Sequence, residues 1–250
     1  MLMLGNKQLL IDIGNTRTKY CFVVDDKLAS IQYCDNQSLS TTWFNQHWLG
    51  CDQLVLASVA HQNIEELIKH WALAQKIRCQ QVKTPDKAFG VTNGYERYEQ
   101  LGVDRWLAVL GASKRFANQA CIVVDTGTAT TIDYIDSNGC HQGGWILAGI
   151  ETLFNSIQAN TANVRGDRIQ INSLGFGRNT NDNLAQAAWA STVGLIKQAM
   201  LTAEQLNDVT PLLVITGGNG ERIAQMLDID STRVHYVPAI VFEGLACYLA

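Results

Sequence analysis

The sequence predicts an α/β protein built of two related halves, and three observations carry that expectation. Short apolar runs bounded by turn residues alternate with longer amphipathic stretches, the pattern of strands and helices packed in layers. The run LLIDIGNTRTKYCF returns as IVVDTGTATTIDYI, which aligns Asp12 with Asp125, Gly14 with Gly127 and Thr18 with Thr131. Of the 250 residues, 47% are hydrophobic and 17% charged, too apolar for disorder and enough to build a sizeable core.

The elements follow in order. Residues 8–13, QLLIDI, read as a strand ending at Asp12, GNTRT as a turn, KYCFVV as a second strand, and residues 26–34 as a third. Residues 39–49 are helical, LVLASVA at 54–60 is a buried strand, 62–75 an amphipathic helix and IRCQQVK at 77–83 another strand. A polar loop around Pro85 to Tyr98 leads to a helix over 101–116. Cys121 then opens the second copy: strand, turn, strand, and a third strand near Gln142 to Ile146. Helices at 149–158 and 180–206, a buried strand at 212–216, a GGNGE turn, a helix to about Leu227, a strand at Arg233 to Val237 and a last helix at Ala239 to Leu249 complete the chain. Each copy thus opens a βββ-α-β-α-like series, and the expected domains are 1–117 and 118–250. No Pro- or Ser-rich linker marks the joint, so the halves are expected to pack closely around a cleft.

Charge and cysteine usage exclude several classes. The formal net charge is -4 with no basic cluster, which argues against nucleic-acid binding by a basic face. Cys21, Cys34, Cys51, Cys79, Cys121, Cys140 and Cys247 are scattered, with no CxxC pair and no metal-ligand spacing to His, as for reduced thiols in a reducing cytoplasm. The start, MLMLGNKQLLIDIGNT, turns polar too soon for a signal peptide, and no run approaches the roughly 18 apolar residues of a membrane span. A soluble cytoplasmic protein without membrane partners is expected.

The duplicated strand–Asp–glycine turn–strand unit carries the chemistry. Glycine allows close approach, while Thr and Asn side chains and the N–H groups of such a turn can face an anion. Two such hairpins could grip one polyphosphate, with Asp12 and Asp125 beside it. Bare carboxylates repel phosphate, so a cation is required; Mg²⁺ binds through one or two carboxylates plus substrate oxygens. One copy alone reads better as a tight hairpin with a capping Asp; the duplication and a third glycine turn shift the reading toward a nucleotide. That third turn, TGGNGE at 216–221, could lay backbone against a base or ribose at a helix N-terminus, or be a plain strand-to-helix turn. Asp104 and Arg105 open a helix: a carboxylate there can accept an alcohol proton, and an arginine fork suits a substrate carboxylate, while the bland alternative is a solvated helix start. Asp133 reads as structural or supporting, Glu221 as a ribose contact or a helix-start acid, and Trp106 and Trp189 as core or interface. No catalytic role falls to His47, His61, His70, His141 or His235.

DIGNT at 12–16, GVDR at 102–105, DTGTATTID at 125–133 and GGWILAG at 143–149 together resemble the actin, heat-shock ATPase and sugar-kinase superfamily, and within it the type III pantothenate kinases. The resemblance implies two ribonuclease-H-like (actin-like ATPase) domains, mixed sheets flanked by helices with a nucleotide cleft, in a homodimer. It implies ATP-dependent phosphorylation of pantothenate, the first step toward coenzyme A. Asp12, Ile13, Gly14, Asn15, Thr16, Arg17, Thr18 and Lys19 would form the first phosphate loop and Thr128 a second ATP contact. Asp125 would hold K⁺ or NH₄⁺, needed besides Mg²⁺, and Asp104 would be the catalytic base. Gly102, Val103, Asp104 and Arg105 would line the pantothenate site with Tyr95 and Thr180. Two positions depart from the family pattern: Ala148 stands where GGxIxPG has Pro, and NDNLAQAAWAS after Thr180 lacks the usual Gly. Neither removes a charged or nucleophilic group. Two other functions fit the same turns: a different phosphotransferase or phosphatase of the superfamily, and a nucleotide-binding regulator without turnover. GVDR and Tyr95 weigh against the first; Asp12, Asp104 and Asp125 weigh against the second.

Overall fold

The computed structural model describes residues 7–59, 61–167, 169–171 and 173–249. The chain forms two compact units: one holds the chain up to Arg115 and again from Ala239 onward, the other Phe116–Pro238.

In the first unit, β1 (Lys7–Ile13) is central and buried from Gln8 to Ile13. A strand covered on both faces needs no polar alternation, which is why LLIDI reads as a continuous apolar run. It pairs antiparallel with β2 (Arg17–Val24), whose other edge carries β3 (Lys27–Leu28) and β4 (Gln32–Asp35). The chain then crosses through α1 (Thr41–His47), its first turn capped by the Ser40 hydroxyl, which accepts from the Trp43 N–H. β5 (Gln53–Ser58) lies parallel to β1, and α2 (Gln62–Ala74) leads to β6 (Arg78–Gln81), parallel to β5. A short hairpin of β7 (Lys87–Ala88) and β8 (Val91–Thr92) precedes α3 (Val103–Arg115). Leu9, Ile11, Ile13, Leu54 and Leu56 form one face of the sheet against Phe44, Trp48, Ile68 and Trp71. Side chains alternate along a strand, so Asp12 is directed to the opposite face, out of that core.

The second unit repeats the pattern. β9 (Cys121–Thr126), β10 (Ala129–Ile135) and β11 (His141–Ala148) form an antiparallel meander. After α4 (Ile150–Asn160) and the 28-residue α5 (Thr180–Asn207), β12 (Leu212–Gly217) returns parallel to β9. α6 (Gly220–Met226) then leads to β13 (Val234–Tyr236), parallel to β12. Ile122, Val124, Ile132, Leu213 and Ile215 pack against Phe154, Trp189, Ile196 and Ile223, and alternation again turns Asp125 away from that core.

The βββ-α-β-α expectation thus holds in both units, with local differences. β2 begins at Arg17, so the first turn spans only Gly14 to Thr16, shorter than GNTRT. Residues 26–34 yield two short strands, and the loop after Pro85 contains the β7–β8 hairpin. The expected second domain, 118–250, is also corrected. α7 (Ile240–Ala246) belongs with the first unit, where it packs on α3 and touches β1 and β5. The reason is a pair of glycines. A Cβ on Gly244 would overlap the Leu107 carbonyl, and one on Gly111 the Ile240 carbonyl. Backbone therefore meets backbone, and Arg115 Nη1 to Glu243 Oε1 (2.8 Å) and Trp106 Nε1 to the Tyr248 hydroxyl (3.1 Å) tie the pair. Gly244→Ala should force α7 off α3 and destabilise by about 3 kcal/mol. Thermal unfolding should then show a midpoint lowered by roughly 6–12 °C; an unchanged midpoint would refute the close approach.

All seven cysteines are free. Burial pushes the Cys121 thiol up to about 12 and the Cys51 thiol up to about 11, so both stay neutral and act as small core hydrophobes. Among the described residues, no helix is long and apolar enough to cross a membrane.

Candidate functional site

The first glycine turn is closed by the Gly14 N–H donating to Arg17 O at 3.1 Å, with Asn15, Thr16 and Arg17 exposed at its tip. Asp12 lies across the ladder from Lys19, and Oδ2 stands 4.0 Å from Nζ. Not every predicted residue of this loop offers its side chain to a ligand. Ile13 is in the core, and Thr18 is fully buried, its hydroxyl donating to Asn36 Oδ1 at 2.8 Å. The turn's carbonyls are engaged from behind: Gly14 O accepts from Asn36 Nδ2 (2.9 Å) and Asn15 O lies 2.9 Å from His61 Nε2.

The second turn is built similarly from other residues. The Gly127 N–H donates to Ala129 O at 3.0 Å, and Gly127, Thr128 and Ala129 are exposed. Thr128 O accepts from the Gly149 N–H at 2.9 Å and from the Thr152 hydroxyl at 2.8 Å, both at the start of α4. A Cβ on Gly149 would overlap Gly127 O and come within 2.7 Å of Thr128 O. The third turn leans on the second. A Cβ on Gly217, whose φ is +89°, would lie 2.5 Å from Thr126 N and 2.6 Å from Asp125 Oδ1, so only glycine lets the strands close here. The Thr126 hydroxyl donates to Thr216 O at 2.9 Å, and Asn219 Nδ2 donates to the Glu151 carboxylate at 3.2 and 3.3 Å.

Asp125 is half-buried and flanked in register by Thr131 and Thr216. A carboxylate on a strand flanked by threonines offers hard oxygen donors. It fits a monovalent cation better than a transition metal, and no cluster of three or more His, Cys, Asp or Glu able to hold a metal occurs among the described residues. Asp133, on β10 opposite Val123, is buried with His141, Oδ1 to Nε2 at 2.8 Å.

At the start of α3, Asp104 Oδ1 accepts from the Arg105 N–H at 2.8 Å. A Cβ on Gly102 would come within 2.6 Å of the same oxygen, so the carboxylate rests against bare backbone. Arg105, only 5% exposed, donates from Nη1 to the Tyr95 hydroxyl at 2.7 Å. Buried Asn93 shapes that loop, accepting from the Tyr95 N–H at 3.0 Å and donating to Pro85 O and Tyr98 O. Tyr95, Gly102, Val103, Asp104 and Arg105 are therefore gathered in one unit. Thr180 belongs to the other, exposed at the first position of α5 beside its cap, Asn179. Sequence reasoning missed Asn36, Asn93, His61 and Thr152. No motif marks them, since each acts on backbone and three of them reach residues more than twenty positions away.

A family model described as type III pantothenate kinase matches residues 8–202. A Colwellia psychrerythraea protein named type III pantothenate kinase is 36% identical over 247 residues, covering 96% of this chain and 99% of its own. Among solved structures, a Campylobacter jejuni protein named as a Baf family transcriptional activator aligns at a TM-score of 0.61 and 22% identity, covering 95% of this chain and 94% of that one. A Sinorhizobium meliloti protein named as a 2-dehydro-3-deoxygalactonokinase aligns at 0.58 and 13% identity, covering 96% and 97%. At such identities these two structures bear on the fold alone, the one shared by actin-like ATPases and sugar kinases. Matched to the family from Gln8 to Thr202, and to a member along nearly its whole length, this chain belongs to the type III pantothenate kinases.

Proposed function

We propose that the chain transfers the terminal phosphoryl group of ATP to the primary alcohol of pantothenate, giving 4'-phosphopantothenate for coenzyme A synthesis, with Asp104 as general base. The observation that carries the assignment is the seating of Asp104 against Gly102 at the first turn of α3, beside a buried Arg105 held by Tyr95. Phosphoryl transfer asks the protein mainly for positioning and charge neutralisation. Asp104 takes the alcohol proton as the acceptor oxygen bonds to the γ-phosphorus and the bond from that phosphorus to the β–γ bridging oxygen breaks, releasing ADP. Arg105 pairs with the substrate carboxylate through its planar fork, and Tyr95 orients that fork. Backbone at Ile13 to Thr16, with Arg17 and Lys19, contacts phosphate in the first unit, and Thr128 is a phosphate contact of the second.

Asp12 would help to hold the Mg²⁺ that accompanies ATP, and Asp125 would hold K⁺ or NH₄⁺. When bound, these cations supply positive charge against the phosphates. A cytoplasmic homodimer is the assembly we assign, on the family resemblance.

The test is ADP release by the purified protein with ATP and Mg²⁺, with and without pantothenate, in K⁺ and in Na⁺. Release should require pantothenate and K⁺ together; release indifferent to pantothenate would move the activity to another acceptor. In the same assay Asp125→Asn should lose activation by K⁺. A K⁺ response equal to the wild type would remove Asp125 as the cation ligand.

A further inference from the structure

We propose that Asn36 is a positioning residue of the first phosphate turn, holding the turn's carbonyl oxygens back so that the N–H groups at its tip, of Asn15 and Thr16, are presented to the nucleotide. The proposal rests on the nucleotide-binding assignment of that turn. Asn36 follows β4, whose pairing with β2 (Arg17 opposite Asp35, Thr18 opposite Cys34) sets it beside the turn. One side chain makes three contacts: Oδ1 accepts from the Thr18 hydroxyl at 2.8 Å, and Nδ2 donates to Gly14 O at 2.9 Å and Asn15 O at 3.4 Å. Its own N–H donates to Thr16 O at 3.4 Å. His61 Nε2 reaches Asn15 O at 2.9 Å; a carbonyl only accepts, so that nitrogen carries a proton.

Three consecutive carbonyls, of Gly14, Asn15 and Thr16, are thus occupied. The consequence is electrostatic. A carbonyl oxygen turned toward a phosphate repels it, while a run of N–H groups attracts it. Pinning the carbonyls fixes the sign of the field the turn presents. The second turn meets the same need with unrelated groups, Thr128 O being held by the Gly149 N–H and the Thr152 hydroxyl. That two units braced by different residues share this feature points to a requirement of the turn rather than incidental packing.

Asn36→Asp keeps the size and the acceptor for Thr18 but sets carboxylate oxygens against Gly14 O. Calorimetric titration of the full chain with Mg-ATP should show Kd raised about tenfold, as the loss of one or two hydrogen bonds implies. KM for ATP should rise in step, with KM for pantothenate within about twofold, a split that general loosening would not produce. Thr18→Val should weaken ATP binding by roughly threefold and Thr18→Ser should restore it; this pair decides if the Asn36 variant fails to fold. A folded Asn36→Asp, or a Thr18→Val, that binds ATP as the wild type does would overturn the brace alone. A wild-type chain that binds no ATP would overturn the nucleotide assignment of the turn, and the brace with it.

Discussion

Asp104→Asn is expected to lower kcat by about 10²–10⁴-fold, the range set by removal of a positioned general base, with ATP affinity unchanged. The substitution is a clean probe because of its surroundings. The Arg105 N–H is received by Oδ1, and an asparagine oxygen can receive it equally, so the start of α3 keeps its shape. Gly102 leaves the head group unobstructed, and an amide fills the same volume as a carboxylate. What is lost is the capacity to take a proton. The loss should therefore appear in kcat, and in kcat/KM for pantothenate to the same degree, the signature of an interaction made in the transition state. Single-turnover phosphorylation with saturating Mg-ATP, beside a binding titration, separates the two quantities. Turnover at the wild-type rate would remove Asp104 from the role of base and leave it a helix-start carboxylate.

Gly149→Ala should be the most damaging change outside the reacting groups. Gly149 sits at φ -62° and ψ 165°, torsions that alanine adopts freely, so the effect is steric and not conformational. The added methyl would overlap Gly127 O and press on Thr128 O, both backbone atoms of the second glycine turn, the one proposed to contact phosphate. Backbone cannot swing aside as a side chain does. Either α4 retreats, breaking the Gly149 N–H to Thr128 O bond, or the turn moves toward the nucleotide. A displacement of about 1 Å at a positioning element costs on the order of 10²-fold, so kcat/KM for ATP should fall by about that factor. The strain should also lower stability by about 1–3 kcal/mol. Steady-state kinetics and a thermal melt measure both effects; wild-type ATP kinetics in this variant would show that the α4–turn contact does not position phosphate.

Much of this was legible in the amino-acid order because it depends on local pattern. Buried parallel strands must be apolar throughout, so LLIDI, LVLAS, CIVV and LLVIT announce themselves. The repeated Asp-x-Gly turn announces the duplication, and the observed sheet orders repeat accordingly. Asp104, Arg105 and Tyr95 could be named from a motif, yet their hydrogen-bonded arrangement could not, since buried Asn93, which shapes the loop, looks like any polar loop residue. Thr18 shows the limit most clearly. The family resemblance makes it a residue of the first phosphate loop, but its place on β2 turns its hydroxyl inward to Asn36.

By itself, then, the sequence determined the order of elements, the two-fold repetition and the family to which the chain belongs. Periodicity and turn chemistry are properties of neighbouring residues and need no fold to be read. Tertiary structure decided the rest. It assigned α7 to the first unit, through two glycines over one hundred positions apart whose lack of a Cβ lets backbones touch. It also decided which groups hold the glycine turns. Asn36, His61, Gly149 and Thr152 act on carbonyl oxygens, which every residue possesses, so no side-chain pattern in the turns could point to them.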